Sequence, residues 1–342
     1  MTFNSSNIIT EKKFSTNLHG YIVGFDFGQF RYDDLSEKLM DTIVDFAYGY
    51  HTGILKNYDR RVLKEAAKSI YNIKGFTEVK FVYVDEDSEL LDCEKRAEDK
   101  YLKRGEFGEL ILHLLLRDFF KTLPLISKIH FKDSDGATVH GFDIVHIGSD
   151  INDSTKKSIF LGESKLYARK DNNAGKHGVE DLVKDIEAHF KKDFLKREIA
   201  LIGKKKHSFA PVSESMNEPT KLQYQQFLDE KDEWFERLSK VEKGEYKLQD
   251  FINSVTVPLV CTYQSELFSL YDDENNQDFI DEYELEMKEL KKHFDKKLSN
   301  LPIVKGEPIS TKLNVILMLL PIPSKKQLIK LLHQKLYNQQ NA

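Results

Sequence analysis

The alternation of apolar and polar residues divides the chain into short strand-like runs and amphipathic helical ones. Among the first hundred residues, Tyr21 to Phe25 and Val79 to Val84 read as strands, whereas Leu35 to Tyr48 and Arg61 to Ile70 carry apolar residues at helical spacing. Gly105-Glu106-Phe107-Gly108-Glu109 then opens an apolar run, Leu110 to Phe120, long enough for a helix of about four turns that is stopped by Pro124. Three strands are expected next, over Ile126 to Phe131, Thr138 to Ile147 and Ser158 to Tyr167. The gaps between them are rich in Asp, Asn, Ser and Gly, as hairpin loops require. Val179, Leu182, Val183, Ile186 and Phe190 mark a second helix, expected to continue toward Ile202. Residues 208–250 are polar, helical in composition and contain the single Trp, Trp234; they read as an insertion. A strand over Val255 to Tyr263, an acidic helix over Phe279 to Leu298, a strand over Leu313 to Leu320 and a last helix after Pro323, capped by Ser324, complete the chain.

This order predicts an α/β fold. At 342 residues the chain has room for roughly two units. Residues 1–100 are expected to form a mixed α/β part without recognisable chemistry, a candidate for partner docking, and residues 101–342 a second unit with the insertion at about 208–250. Composition is that of an ordinary globular protein, 40% hydrophobic and 31% charged. The longest apolar runs, such as Val315 to Leu320, fall far short of the roughly 20 residues that span a membrane, and the N-terminus lacks a secretory pattern. Two cysteines, Cys93 and Cys261, support neither a disulfide framework nor a cysteine-based zinc site. A cytoplasmic protein without membrane contact is therefore expected.

Charge is unevenly spread. The net charge of −5 argues against an unaided nucleic-acid-binding surface over the whole molecule. Residues 184–206 nevertheless hold eight Lys/Arg against four Asp/Glu, and residues 272–289 hold nine acids against one lysine. Lys176, Lys184, Lys191 and Lys192 are candidates for tracking a phosphate backbone. The acidic stretch would repel phosphates or meet a basic partner.

Three places depart from the rule that strands bury apolar residues and helices expose polar ones. Two-residue alternation puts Asp143 on a face with Val139, Val145 and Ile147. In Leu161-Gly162-Glu163-Ser164-Lys165-Leu166-Tyr167, Glu163 and Lys165 share a face with Ile159, Leu161 and Tyr167, while Ser164 points the other way. On the first long helix, Glu106, Glu109, His113 and Arg117 form one polar stripe. A carboxylate in an apolar strand is costly without a partner, and acids from two adjacent strands can hold a hard divalent cation. Such a cation activates water for phosphodiester cleavage, with Lys165 placed to orient it and offset developing charge. The carbonyl of Ser164 is a further candidate metal ligand. His113 and His177 lie close enough in sequence to touch a phosphate, although packing is the commoner role of a lone histidine. No Gly-x-Ser-x-Gly elbow supports nucleophilic serine chemistry.

The order helix-Glu, strand-Asp, strand-Glu-x-Lys, helix, strand resembles the PD-(D/E)XK phosphodiesterase superfamily, whose core is that of restriction endonucleases. The phrases Phe107-Gly108-Glu109, Gly141-Phe142-Asp143 and Gly162-Glu163-Ser164-Lys165-Leu166-Tyr167 are more specifically similar to the HamA family of Hachiman anti-phage systems and its AbpA-like relatives. The superfamily's proline is absent before Asp143, and either Glu106 or Glu109 can stand for the helix acid; Glu109 follows Gly108 as the family pattern does. The resemblance implies a DNA nuclease dependent on Mg²⁺ or Mn²⁺, in which Asp143, Glu163 and Ser164 hold the metal while Glu109, Asp143, Glu163 and Lys165 serve catalysis. It also implies a partner, a superfamily 2 helicase (HamB-like), that restrains cleavage until foreign or damaged DNA is sensed. The chain has no Gly-x-x-x-x-Gly-Lys-Ser/Thr loop, so an ATP-driven step falls to a partner. A non-catalytic regulator of a helicase, an RNase and a structure-selective repair nuclease are the alternatives.

Overall fold

A computed structural model describes residues 5–49, 60–73, 105–127, 141–168, 173–204, 218–301 and 313–341. After a 3₁₀ turn at Ser5–Asn7 come β1 (Ile9–Ser15), β2 (Leu18–Val23), β3 (Phe25–Asp26), β4 (Gln29–Phe30), α1 (Tyr32–Asp41), α2 (Ile43–Tyr48) and α3 (Arg60–Ile70). The middle of the chain forms α4 (Glu106–Phe119), β5 (Leu123–Pro124), β6 (Ile144–Ser149), β7 (Lys157–Tyr167), α5 (Ala174–His189), α6 (Lys192–Gly203) and α7 (Glu218–Glu242). The remainder forms α8 (Leu248–Ile252), β8 (Val255–Gln264), α9 (Leu267–Leu270), α10 (Gln277–Leu298), β9 (Asn314–Ile322) and α11 (Lys325–Asn341).

A seven-stranded mixed sheet, in the order β1-β2-β9-β8-β7-β6-β5, forms the middle layer. Its centre, β2, β9, β8 and β7, is parallel, and β1, β6 and β5 add antiparallel edges. β8 and β9 are apolar almost throughout, as strands covered on both faces must be. One face packs Ile159, Leu161, Leu259 and Leu317 against α5, α6, α7 and α10; the other packs Phe160, Val260, Ile316 and Met318 against α1, α2, α3, α4 and α11. The result is a three-layer arrangement of the expected α/β class. Residues before 50 join it directly, because β2 lies alongside β9.

Several expected elements are revised. The strand over 79–84 falls outside the described residues, as does most of the one over 126–131. Ahead of it lies the two-residue β5, after which Leu125 and Ile126 bend. Pro124 lies in that strand and does not stop α4. The helix ends where Lys121 takes a positive φ of 55°. The helix read over Leu35 to Tyr48 is two, because the Thr42 hydroxyl donates to the Leu39 carbonyl at 2.7 Å and tightens the turn between them. The helix expected to run on toward Ile202 breaks at Phe190, which is buried, and Lys191 is extended before α6 begins. The polar segment after 208 is less solvated than its composition suggests: Tyr224, Phe227, Trp234 and Leu238 of α7 all enter the core. Ser324 caps α11 as expected, its Oγ accepting from the Gln327 amide at 3.2 Å.

Candidate functional site

β7 builds the site. Its residues alternate between the two cores, Ile159 and Leu161 on the α5 side, Phe160 and Leu166 on the α4 side. Glu163 and Lys165 therefore face α5, and Ser164 faces α4, as the two-residue period predicts. α5 answers with two side chains one turn apart. Lys165 Nζ lies 2.5 Å from Asp185, and Glu163, 4% exposed, approaches His189 Nδ1 at 2.7 Å without hydrogen-bond alignment. The His189 ring is fixed by stacking on Phe194 at 4.8 Å and by the edge of Phe142 at 5.4 Å.

Asp143 departs from the expected alternation with Val145 and Ile147. It sits in the bend before β6, its amide donating to the Gly162 carbonyl at 2.9 Å. Freed from the strand's pleat, its carboxylate accepts from both the amide (2.8 Å) and the hydroxyl (2.7 Å) of Ser164. The expected shared face with Val139 involves a residue outside the described ones. α4 reaches this point through Gly108, where an added Cβ would stand 3.1 Å from Ser164 Oγ. The next residue, Glu109, is half-buried, and its charge is felt at Glu163.

The electrostatics are dominated by acids. Burial pushes the Glu163 carboxyl well above the ordinary range, and the nearby Asp143, Asp185 and Glu109 push the same way while Lys165 opposes them. Burial works against the charge on Lys165, but Asp185, Glu163 and Asp143 outweigh it and keep the ammonium charged. Burial also lowers His189, against the opposing pull of Asp185 and Asp143. Among the described residues no set of three His, Cys, Asp or Glu is arranged to hold a metal ion as it stands. The donor chemistry nonetheless fits a hard divalent cation. Asp143, Glu163, Asp185 and Glu109 are all oxygen donors, and positive charge placed among them would offset the repulsion that adds to burial in raising Glu163.

The polar stripe on α4 splits in two. Glu109 serves the region around Glu163, whereas His113 and Arg117 belong to a buried network with Asp45 of α2. His113 Nδ1 lies 3.1 Å from His146 Nε2, and the Thr122 hydroxyl lies 2.9 Å from the other nitrogen of His146. His113 is thus a packed residue. Lys184 pairs with Asp181 at 2.6 Å, and His177 lies 3.9 Å from Glu180. Asp185, His189 and Asp45 were not singled out from sequence. A polar i, i+4 pair flanking the apolar face of α5 was the available signal for the first two; Asp45 had none.

Fold and site together define a mixed α/β protein in which one buried and several half-buried carboxylates surround a strand-borne lysine. The HamA family model matches residues 1–336, and the chain belongs to that family, which makes it a component of Hachiman defence. No curated protein and no solved structure matches it. Among the described residues no helix is long and apolar enough to cross a membrane.

Proposed function

We propose that the chain is a metal-dependent DNA nuclease, using Mg²⁺ or Mn²⁺, and the effector of a cytoplasmic anti-phage complex with a superfamily 2 helicase subunit. The observation that carries this reading is the corner between β6 and β7, where Asp143, in the bend before β6, accepts from the amide and hydroxyl of Ser164, the residue between Glu163 and Lys165. The order α4, β5 to β7, α5, β8 supports a restriction-endonuclease-like PD-(D/E)XK core. Asp143 and Glu163, with the carbonyl of Ser164, would hold the cation, which when bound polarises a phosphoryl oxygen and acidifies water. Lys165, kept charged by Asp185, orients the attacking water and offsets charge developing on the phosphate. Asp185 and His189 position Lys165 and Glu163, and Glu109 assists from α4.

The test is nicking of supercoiled plasmid by the purified chain, alone and with its helicase, across a Mg²⁺ titration, with Mg²⁺ binding read by calorimetry. Glu163→Ala and Lys165→Ala should each abolish nicking while folding and helicase binding persist. Nicking that survives both changes refutes this site. One observation favours a second reading, a non-catalytic regulator of the helicase: Glu163 and Lys165 already contact His189 and Asp185. That reading requires wild-type protein that never nicks yet still alters the helicase's ATPase. A panel of DNA and RNA substrates separates the DNase from an RNase or a repair nuclease built on the same residues.

A further inference from the structure

The acidic segment 272–289 remains without a role in cleavage. Beside it, a cavity of about 280 Å³ opens where β8 ends, walled by α9, α10 and the first turn of α5. Tyr263, Ser265, Leu270, Glu282, Glu286 and Glu289 line it, with Lys176 as its basic residue. The volume lies below the roughly 300–1,000 Å³ of sites that enclose a drug-sized molecule, and suits a single side chain. The Tyr263 hydroxyl, on a buried side chain, has Glu286 as its hydrogen-bonding neighbour. Glu286, which accepts from the Ser265 hydroxyl at 2.9 Å, is raised from the ordinary carboxyl range by burial. An ammonium or guanidinium group would donate to both, whereas a phosphate would meet four glutamates, Glu266, Glu282, Glu286 and Glu289.

An apolar element stands next to the cavity. The β3–β4 hairpin carries Phe27 at its tip, fully exposed and at a positive φ of 48° that non-glycine residues seldom adopt. The hairpin is rigidly seated: Phe25 and Phe30 pack on Phe268 of α9, and Gly28 approaches Asp272. On the same short helix Leu270 is 66% exposed and lines the cavity. Held aromatic residues beside an acidic pocket are the anatomy of a protein interface, and the surrounding acids disfavour nucleic acid.

We propose that this face docks a basic segment of a partner protein, one lysine or arginine entering the cavity and neighbouring apolar residues covering Phe27 and Leu270. The inference rests on the chain working within an assembly and is independent of the nuclease reading. The probe is a fluorescein-labelled nonapeptide of alternating arginine and leucine, followed by fluorescence polarisation on the full-length chain. Glu282→Gln combined with Glu286→Gln should weaken binding at least tenfold, and Phe27→Ser at least threefold. Asp278→Asn combined with Asp281→Asn removes the same charge from the same helix outside the cavity, and should change binding less than threefold. Plasmid nicking should be unchanged in all three. Equal weakening by the two double variants, or displacement of the peptide by a 20-base-pair duplex, overturns the proposal. Should Glu286→Gln fail to fold, Glu282→Gln alone, at an exposed position, carries the comparison. A wild-type chain that binds this peptide but never nicks would refute the nuclease reading and leave the docking face standing.

Discussion

Replacing Asp45 with alanine is expected to destabilise the protein far more than its position outside the candidate site suggests. Asp45 is 4% exposed; its Oδ2 lies 2.9 Å from Arg117 Nη1 and 3.3 Å from His113 Nε2. Burial opposes the charge on Arg117, but Asp45 and Asp118 more than restore it, so the guanidinium stays charged inside the protein. Removing one partner of a buried pair typically costs about 3–5 kcal/mol, because the other charge is stranded. Here Arg117 keeps Asp118, to which its Nε donates at 2.7 Å, so the cost should fall to about 2–4 kcal/mol. Urea denaturation of wild type, Asp45→Ala, Arg117→Met and the double variant gives the coupling directly, expected at about 1–3 kcal/mol. Asp45→Asn keeps an acceptor and should cost about half as much as alanine. A loss below about 1 kcal/mol for Asp45→Ala, or no coupling to Arg117, would show that solvent reaches the pair and that the burial argument is wrong.

Four further outcomes follow from the same geometry. Glu163→Gln should reduce nicking about 10²-fold or more while raising the thermal midpoint at pH 8. The sign comes from the raised carboxyl: the native state binds the extra proton, so wild-type stability falls as pH rises from the ordinary glutamate range, and the variant's advantage should vanish near pH 4. Burial and His113 hold His146 well below its ordinary value, among Thr122, His113, Asp45 and Arg117, so the unfolded state takes up the proton first. Wild type should lose up to about 1.4 kcal/mol per pH unit below pH 6.5 relative to His146→Gln, read by denaturation at several pH values. Trp234→Ala should cost about 3–5 kcal/mol in urea denaturation, since the indole is 3% exposed in the core; a cost under 1 kcal/mol would return α7 to the solvent. Gly178→Ala should destabilise by about 1–3 kcal/mol and lower nicking. An added Cβ would strike Cys261 Sγ and push α5, with Asp185 and His189, away from β7.

The parts of the site that were legible are those fixed by a local period. Glu163 and Lys165 face one way and Ser164 the other because β7 is buried on both faces, and a two-residue repeat then leaves no alternative assignment. The helix stripe was legible in the same way, since Glu109, His113 and Arg117 repeat every four residues. What these stripes meet is set by other elements. Asp185 and His189 matter only once the rotation of α5 against β7 is known, and that rotation is decided by Gly178 seating on Cys261 and Tyr167. Asp143 escaped the strand pattern because it lies one residue before the strand begins, and a boundary is the least certain feature of any periodic reading.

α4 links these two halves. Its first turns bring Gly108 against Ser164 and Glu109 toward Glu163; its later turns are held from outside by Asp45, His146 and the Ser5 amide. A helix fixed at one end by ionic contacts resists rotation, and a rotation would carry Gly108 off Ser164. The amino-terminal residues that supply Ser5 and Asp45 therefore stabilise the geometry around the carboxylates without touching them, Ser5 by donating its amide to Asp118 at 3.0 Å. On this argument, variants at Asp45 and Arg117 should lower nicking in proportion to their loss of stability, whereas those at Glu163 and Lys165 should lower it without any such loss.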